Sequence, residues 1–506
     1  MTQTMGSWQE TRTGLLIDGE IEGADEWFPV FDPAAPHQVV GYAAVATPEQ
    51  ARRAVDAADT AWTRWSAQEP EQRAELLLEA LRDLHDSAEA RSDLLVRESG
   101  LTRTEAQLEL SVFEQRCITA AGIAGELRQV RRLLPQPRQG EAPFNAPLRE
   151  GLAPDQVRSE ISVMPLGAVT IILPPTWALA VLATSLPHAL VAGNTVIVTP
   201  SPTAPLTVVR TLQLLAERLP AGVLNVVTGS DEAVSPTIRD PRVRRIVFTG
   251  SPEAGRTILR VAADTITRVT LQLGGNNPAI LLDDVALDAV TVERIAVGAF
   301  MIAGQLHRGV KRLYVHRSRY QELVEALSAQ LANHRIGHGL HPDTTMGPLI
   351  NARDRDHARD LSDRARAIGC EVREFGEIGE ETQQSGGYFL RPALVLDPPL
   401  DESIVVEAQS GPVLPILPYD DVDRVVAAVN QDRAGLCSSV WSTDLDRAGE
   451  VAARLRTGTT WINGAGVLAE DDRAPSGGFR QSGIGLQKGI EGLMEMSETH
   501  TVTYPG

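Results

Sequence analysis

Between Ile161 and Val209 the chain carries no aspartate, glutamate, lysine or arginine. A stretch this long without charge has to be buried, either in lipid or inside protein. Pro174-Pro175, Pro187-His188 and Gly193-Asn194 cut it into pieces too short for the roughly 20 continuous apolar residues that span a bilayer. Parallel strands buried on both faces, with their crossover helix, account for it better. No membrane partner is expected.

The surrounding pattern supports that choice. Apolar strands are predicted at 169–173, 195–198, 224–227, 245–248 and 268–273, alternating with helices near 179–192, 203–218, 231–239 and 252–263. Short apolar runs separated by helices imply a parallel, doubly wound sheet. A second series is predicted at 279–282, 313–315, 405–407 and 438–441, so the fold class is α/β with two α/β domains. Upstream, Thr47-Pro48-Glu49 reads as a helix start, with a capping hydroxyl and proline in the first turn. Ala51, Ala54, Val55, Ala58, Trp62 and Trp65 follow at helical spacing. The proline-rich stretch 133–157 has little periodicity and reads as a linker or extended arm.

The formal charge of -19 and pI near 5.0 argue against a nucleic-acid partner, because phosphate recognition needs clustered cations. Only Lys311 and Lys488 are lysines among 47 basic residues, a bias read as codon usage. Cys117, Cys370 and Cys437 form no CxxC pair, and the polar, acidic N-terminus is no signal sequence. A reduced, cytoplasmic protein is expected.

The segments PLGAVTIILPPTWALAV (165–181) and ALVAGNTVIVTPS (189–201) resemble the cofactor-domain core of aldehyde dehydrogenases. So do GVLNVVTG (222–229), FTGSPEAGR (248–256), LQLGGNNPAI (271–280), GPVLPI (411–416), WING (461–464) and PSGGFRQSGIG (475–485). These blocks stand in the family's order over nearly the whole chain. The resemblance implies an aldehyde dehydrogenase fold with a Rossmann-like, former NAD-binding domain over 9–140 and 161–272. It also implies a catalytic-type domain over 273–474 and a small β oligomerisation arm from 141–160 and 487–506. A homodimer or homotetramer is expected, because the family pairs a β-type tail such as 498–504 and an arm such as 159–163 with a neighbouring subunit.

In that family a cysteine thiolate attacks the aldehyde, an asparagine amide and a backbone N–H hold the oxyanion, and a glutamate activates water. His307 occupies the cysteine position in Gly304-Gln305-Leu306-His307. Gln272 stands for the glutamate, and cannot take a proton at neutral pH. Thr176 stands near the asparagine. At the cofactor, Thr199 and Pro202 replace the lysine and glutamate that hold the adenosine ribose, and Ala408 replaces the glutamate on the nicotinamide ribose. Gly250 and Ser251 keep a helix N-terminus able to receive an anion.

These substitutions predict that NAD-dependent aldehyde oxidation is lost and that NAD or NADP binds weakly or not at all. Three functions then compete. The polar centre of His307, Gln272 and Thr176 favours a repurposed non-redox enzyme acting on a small carbonyl compound, with His307 as acid or base near neutrality. A non-catalytic binding or scaffold protein is the second reading, and a residual NAD(P)-dependent aldehyde dehydrogenase the third. His334, His338 and His341 lie in a solvated loop, and no metal is expected.

Overall fold

The computed structural model describes residues 12–133 and 158–504. Most of the 141–160 arm and almost all of the 133–157 stretch lie outside them. The two α/β series become two sheets. In the first, the strands Ala168–Ile172 (β1), Thr195–Thr199 (β2), Leu224–Val226 (β3), Val243–Gly250 (β4) and Arg268–Leu273 (β5) are all parallel. Their order across the sheet is β5-β4-β1-β2-β3. Gly483–Ile484 extends it beyond β5, and Leu15–Ile17 and Glu20–Glu22 extend it beyond β3, all antiparallel. The charge-free stretch supplies β1, β2 and the two helices between them, Ala178–Leu182 and Leu186–Ala192, all buried except for part of Ile172.

Because chain order reverses between β1 and β4, the connections leave a crevice beyond the C-terminal ends of those two strands. Doubly wound sheets bind ligands in that place. The second sheet runs Glu371–Glu374, Ala393–Leu396, Val413–Tyr419, Arg312–His316, Pro278–Leu281, Cys437–Trp441 and Thr459–Ile462, parallel except for its first strand. Apolar clusters lie on the faces of both sheets.

Some local expectations change. The predicted strand at 405–407 is part of a helical turn, Ser403–Val406, that buries Ile404 and Val405. An apolar run this short has no period to separate strand from helix. The predicted helix at 179–192 is two helices, and that at 231–239 is also two, with Pro236 opening the second. Thr47 does cap the helix Pro48–Ser66, in a reciprocal box with Gln50. The tail strand Ser497–Tyr504 pairs antiparallel with Arg158–Pro165 over its whole length, and Arg131–Leu133 completes a three-stranded sheet. Among the described residues no helix is long and apolar enough to cross a membrane.

Candidate active site

The helix Arg103–Gly122 (α1) organises the site through Glu105, Glu109 and Arg116. Thr102 caps it, sharing the Glu105 carboxylate. Glu105 also accepts the Ile302 N–H at 2.7 Å, anchoring the loop that leads to His307. One turn on, Glu109 accepts the Leu179 N–H at 2.8 Å and so fixes the start of Ala178–Leu182 (α2), just after Thr176 and Trp177. Two turns further, Arg116 donates to Ala180 O at 2.8 Å and reaches Glu470 at 2.5 Å and Asp472 at 2.8 Å. Burial pushes the Glu109 carboxyl up to about 8. Its N–H partner only partly offsets lost hydration.

The His307 loop is strained. Ile302, Ala303 and Gly304 have φ of 55°, 50° and 71°, a left-handed run that costs a β-branched residue on the order of 1–3 kcal/mol. Position 304 admits only glycine, since a Cβ there would meet Gly411 O at 2.3 Å. Gln305 donates to Ile302 O and accepts the Ile350 N–H. Lys311 donates to Gly304 O at 2.6 Å, and burial lowers its ammonium to about 7. Asn277 donates to His307 O and Gly309 O, both at 2.8 Å, and accepts the Cys437 N–H.

His307 itself is half-buried, but its Nε2 is enclosed and has no hydrogen-bond partner. Burial, then the neighbouring Arg308 charge, lower its imidazole to about 3. The expected ionisation near neutrality is therefore corrected: the ring is neutral throughout the physiological range. Gln272 is buried on β5, paired in register with Thr249 of β4. Thr176 is partly buried in the turn between β1 and α2. α1 anchors the segments that carry Thr176 and His307 through the Leu179 and Ile302 N–H groups, and Asn277 holds the His307 carbonyl. Pro202 and Ala408 are exposed and offer no polar side chain, whereas Thr199 is buried at the end of β2 and its hydroxyl has no partner. Ser251 caps the helix Pro252–Thr265 (α3) through the Ala254 N–H.

Sequence reasoning missed a buried ion cluster beside His307. Glu470 pairs with Arg116, with Lys488 at 3.0 Å and with Arg308. Burial works against its charge, but Arg308, Arg116 and Lys488 outweigh it and hold the carboxyl well below the usual range. Both lysines of the chain are buried, one in this cluster and one under the His307 loop. In a chain that otherwise uses arginine, that retention was the available signal. Cys117 and Cys437 are buried, and burial pushes Cys437 up to about 12. Of the loop histidines, His338 approaches Asp32 at 3.0 Å, His334 pairs with Thr345, and His341 accepts the Asp343 N–H.

A model of the aldehyde dehydrogenase family matches residues 21–502. The chain belongs to the aldehyde dehydrogenase family. It is 31% identical over 496 residues to lactaldehyde dehydrogenase of Escherichia coli K12, covering 96% of this chain and 98% of that one. It is 31% identical over 489 residues to aldehyde dehydrogenase LUC3 of a Fusarium species, covering 96% and 97%. Betaine aldehyde dehydrogenase of Staphylococcus aureus in complex with NAD+ superposes with a TM-score of 0.87 at 27% identity, covering 97% and 95%. These relationships overturn two expectations from the substituted side chains. The chain is not assigned to a repurposed non-redox or non-catalytic function, and a pocket without nicotinamide cofactor is not supported.

Proposed function

We propose that this aldehyde dehydrogenase family member is an NAD(P)-dependent oxidoreductase that converts a small aldehyde to its carboxylic acid. The carrying observation is the Thr199 hydroxyl, buried without a partner at the C-terminal end of β2, one strand from the switch point between β1 and β4. A buried hydroxyl left unpaired costs free energy, and a ribose or phosphate oxygen of a dinucleotide would relieve it. Gly250, Ser251 and the first turn of α3 would hold the pyrophosphate at a helix N-terminus. When bound, NAD(P) supplies the two-electron acceptor.

The reacting end falls to His307, Gln272 and Thr176. No thiol stands in Gly304-Gln305-Leu306-His307, so the substrate form these residues suit is the hydrated aldehyde, in which water has already supplied the second oxygen. Neutral His307 is half-buried with Nε2 enclosed, so the ring has to turn out before Nε2 accepts a hydrogen bond from one hydroxyl of the hydrate, and its weak basicity leaves the proton to solvent. Thr176 donates to the other oxygen, and the Gln272 amide orients the pair. Aldehyde and water together yield carboxylate: the C–H hydrogen leaves with both electrons to the acceptor, and two protons go to solvent.

The same reading carries self-association and a cytoplasmic location. The Ser497–Tyr504 strand has one edge paired with Arg158–Pro165, and its other edge lies at the end of the three-stranded sheet. An open edge invites a second strand, which a neighbouring subunit would provide. Three free cysteines suit a reducing compartment.

The test is direct. Purified protein is titrated with NAD+ and with NADP+ by calorimetry, and reduction of each is followed by nicotinamide absorbance over a panel of short aldehydes. Binding of one dinucleotide and aldehyde-dependent reduction are expected. Absence of both with every aldehyde would sink the reading.

A further inference from the structure

The loop that carries His307 is wound against its own preference. Ile302, Ala303 and Gly304 hold φ of 55°, 50° and 71°, a region that ordinary side chains leave unless something keeps them there. Two ionisable side chains grip this run. Glu105 on α1 accepts the Ile302 N–H at 2.7 Å, and Lys311 donates to Gly304 O at 2.6 Å. The second contact is poorly provided for. An ammonium has three donors, yet among the described residues Gly304 O is the only acceptor of Lys311, and no carboxylate pairs with it. Lys311 is 4% exposed, and burial alone lowers its ammonium to about 7.

A group held in this way responds to acid with a definite sign. The closed loop keeps water from the ammonium and so binds its proton less well than a loop opened to solvent. Protons therefore favour the open loop, by up to about tenfold per pH unit below the folded value. Glu105 acts in the same direction. Burial raises its carboxyl, against the Thr102 and Ile302 N–H groups that lower it, and protonation weakens its hold on Ile302. The remaining groups around the loop do not titrate in this range. Arg308 on the loop and Arg116 on α1 are paired with Glu470. Gln409 and Asn277, which hold the Lys311 main chain, are neutral amides. Across Asn277 the Cys437 thiol is pushed up to about 12, and the His307 ring is lowered to about 3.

We propose that Lys311 is a positioning residue that latches the His307 loop: its neutral amine leaves the loop closed over Nε2, and its buried ammonium drives the loop open so that the ring turns out to solvent. Strain in the left-handed run adds to the opening, because release returns Ile302 and Ala303 to favoured backbone. The latch gives the enclosed Nε2 a way to meet a substrate. That consequence rests on the oxidoreductase reading above; the latch itself does not. It also gives a reason for lysine at 311 in a chain whose basic residues are otherwise arginine apart from Lys488, since a guanidinium keeps its charge at every pH of interest.

Diethyl pyrocarbonate acylates neutral imidazole, and it tests the latch on the whole protein without substrate or cofactor. Labelling of each histidine is followed by peptide mass spectrometry at pH 8, 7 and 6. An ordinary exposed histidine, titrating near 6.5, labels more slowly as pH falls because its reactive form disappears. His307 stays neutral, so its labelling reports exposure of Nε2 and should rise about fivefold or more from pH 8 to pH 6. In Lys311→Met it should be slow at every pH, and in Lys311→Arg fast at every pH. His307 labelling that stays flat or falls with acid in the unaltered protein overturns the latch. A rise that persists in Lys311→Met moves the trigger to Glu105 and overturns the assignment to Lys311. A rise lost in Lys311→Met, in a protein that oxidises no aldehyde, supports the latch and rejects the oxidoreductase reading. The pH profile of the unaltered protein needs no variant, so misfolding of either one does not remove the test.

Discussion

The side-chain amide of Asn277 donates to the backbone carbonyl of His307 at 2.8 Å, with its second hydrogen on Gly309 O and its oxygen on the Cys437 N–H. One buried residue therefore ties the His307 loop to the second sheet. Asn277→Ala leaves two buried backbone groups and the part-buried His307 carbonyl without that partner, which should cost on the order of 3 kcal/mol. Urea unfolding measures it, and a midpoint unchanged from the parent would show that the loop is held elsewhere.

His307 should contribute no ionisation to turnover between pH 5 and 8, since burial and Arg308 lower it to about 3. Its effect on stability has a definite sign. Between about 3 and its unfolded value near 6.5, only the unfolded chain binds this proton, so stability falls as pH drops through that window. His188, lowered by burial to about 4, acts in the same direction. The stability of the parent relative to His307→Gln should therefore be less favourable at pH 4.5 than at pH 7. A gap that is constant with pH would contradict the buried, neutral imidazole.

Thr199→Val removes a hydroxyl with no partner in the protein and keeps the side-chain shape. Affinity for the nicotinamide dinucleotide should fall about fivefold, the worth of one neutral hydrogen bond of about 1 kcal/mol. The melting temperature of the unliganded protein should stay level or rise. Loss of stability without loss of dinucleotide affinity would assign the hydroxyl to the fold rather than to the cofactor.

Glu470→Gln takes the shared counter-charge from Arg116, Arg308 and Lys488. Breaking a buried ion pair on one side costs about 3–5 kcal/mol, and that loss should register in thermal unfolding at pH 7. Glu470 is held below its ordinary range, so its stabilisation is complete above its unfolded pKa of about 4.3 and disappears as pH falls through the lower folded value. A variant as stable as the parent at neutral pH would mean that water already screens the three cations.

Removing 497–506 deletes the strand paired with Arg158–Pro165 and exposes that strand's inner edge. Light scattering after gel filtration should then show a smaller assembly or aggregation. An unchanged, soluble assembly would place the subunit contact outside this sheet.

The α/β class and most of the parallel strands were legible in the sequence, because strands buried on both faces read as continuous apolar runs. The Thr47 cap was equally plain, being a local hydrogen-bond pattern. At 403–406 the same apolar signal misled, since Ile404 and Val405 need burial in either conformation and only packing chose the helical turn. The charge-free span 161–209 announced a core but not its division at 183–185. Motif positions fixed where His307, Gln272 and Thr176 stand, but not the state of the imidazole, which depends on Arg308 beside it and on the surrounding burial. Glu470 and Arg116 are 354 residues apart, and neither has a local pattern that marks it as half of a pair. Sequence determined what each segment had to bury. Tertiary structure alone decided which charges were buried together, because electrostatic energy depends on distance in space and on lost hydration, and neither is written along the chain.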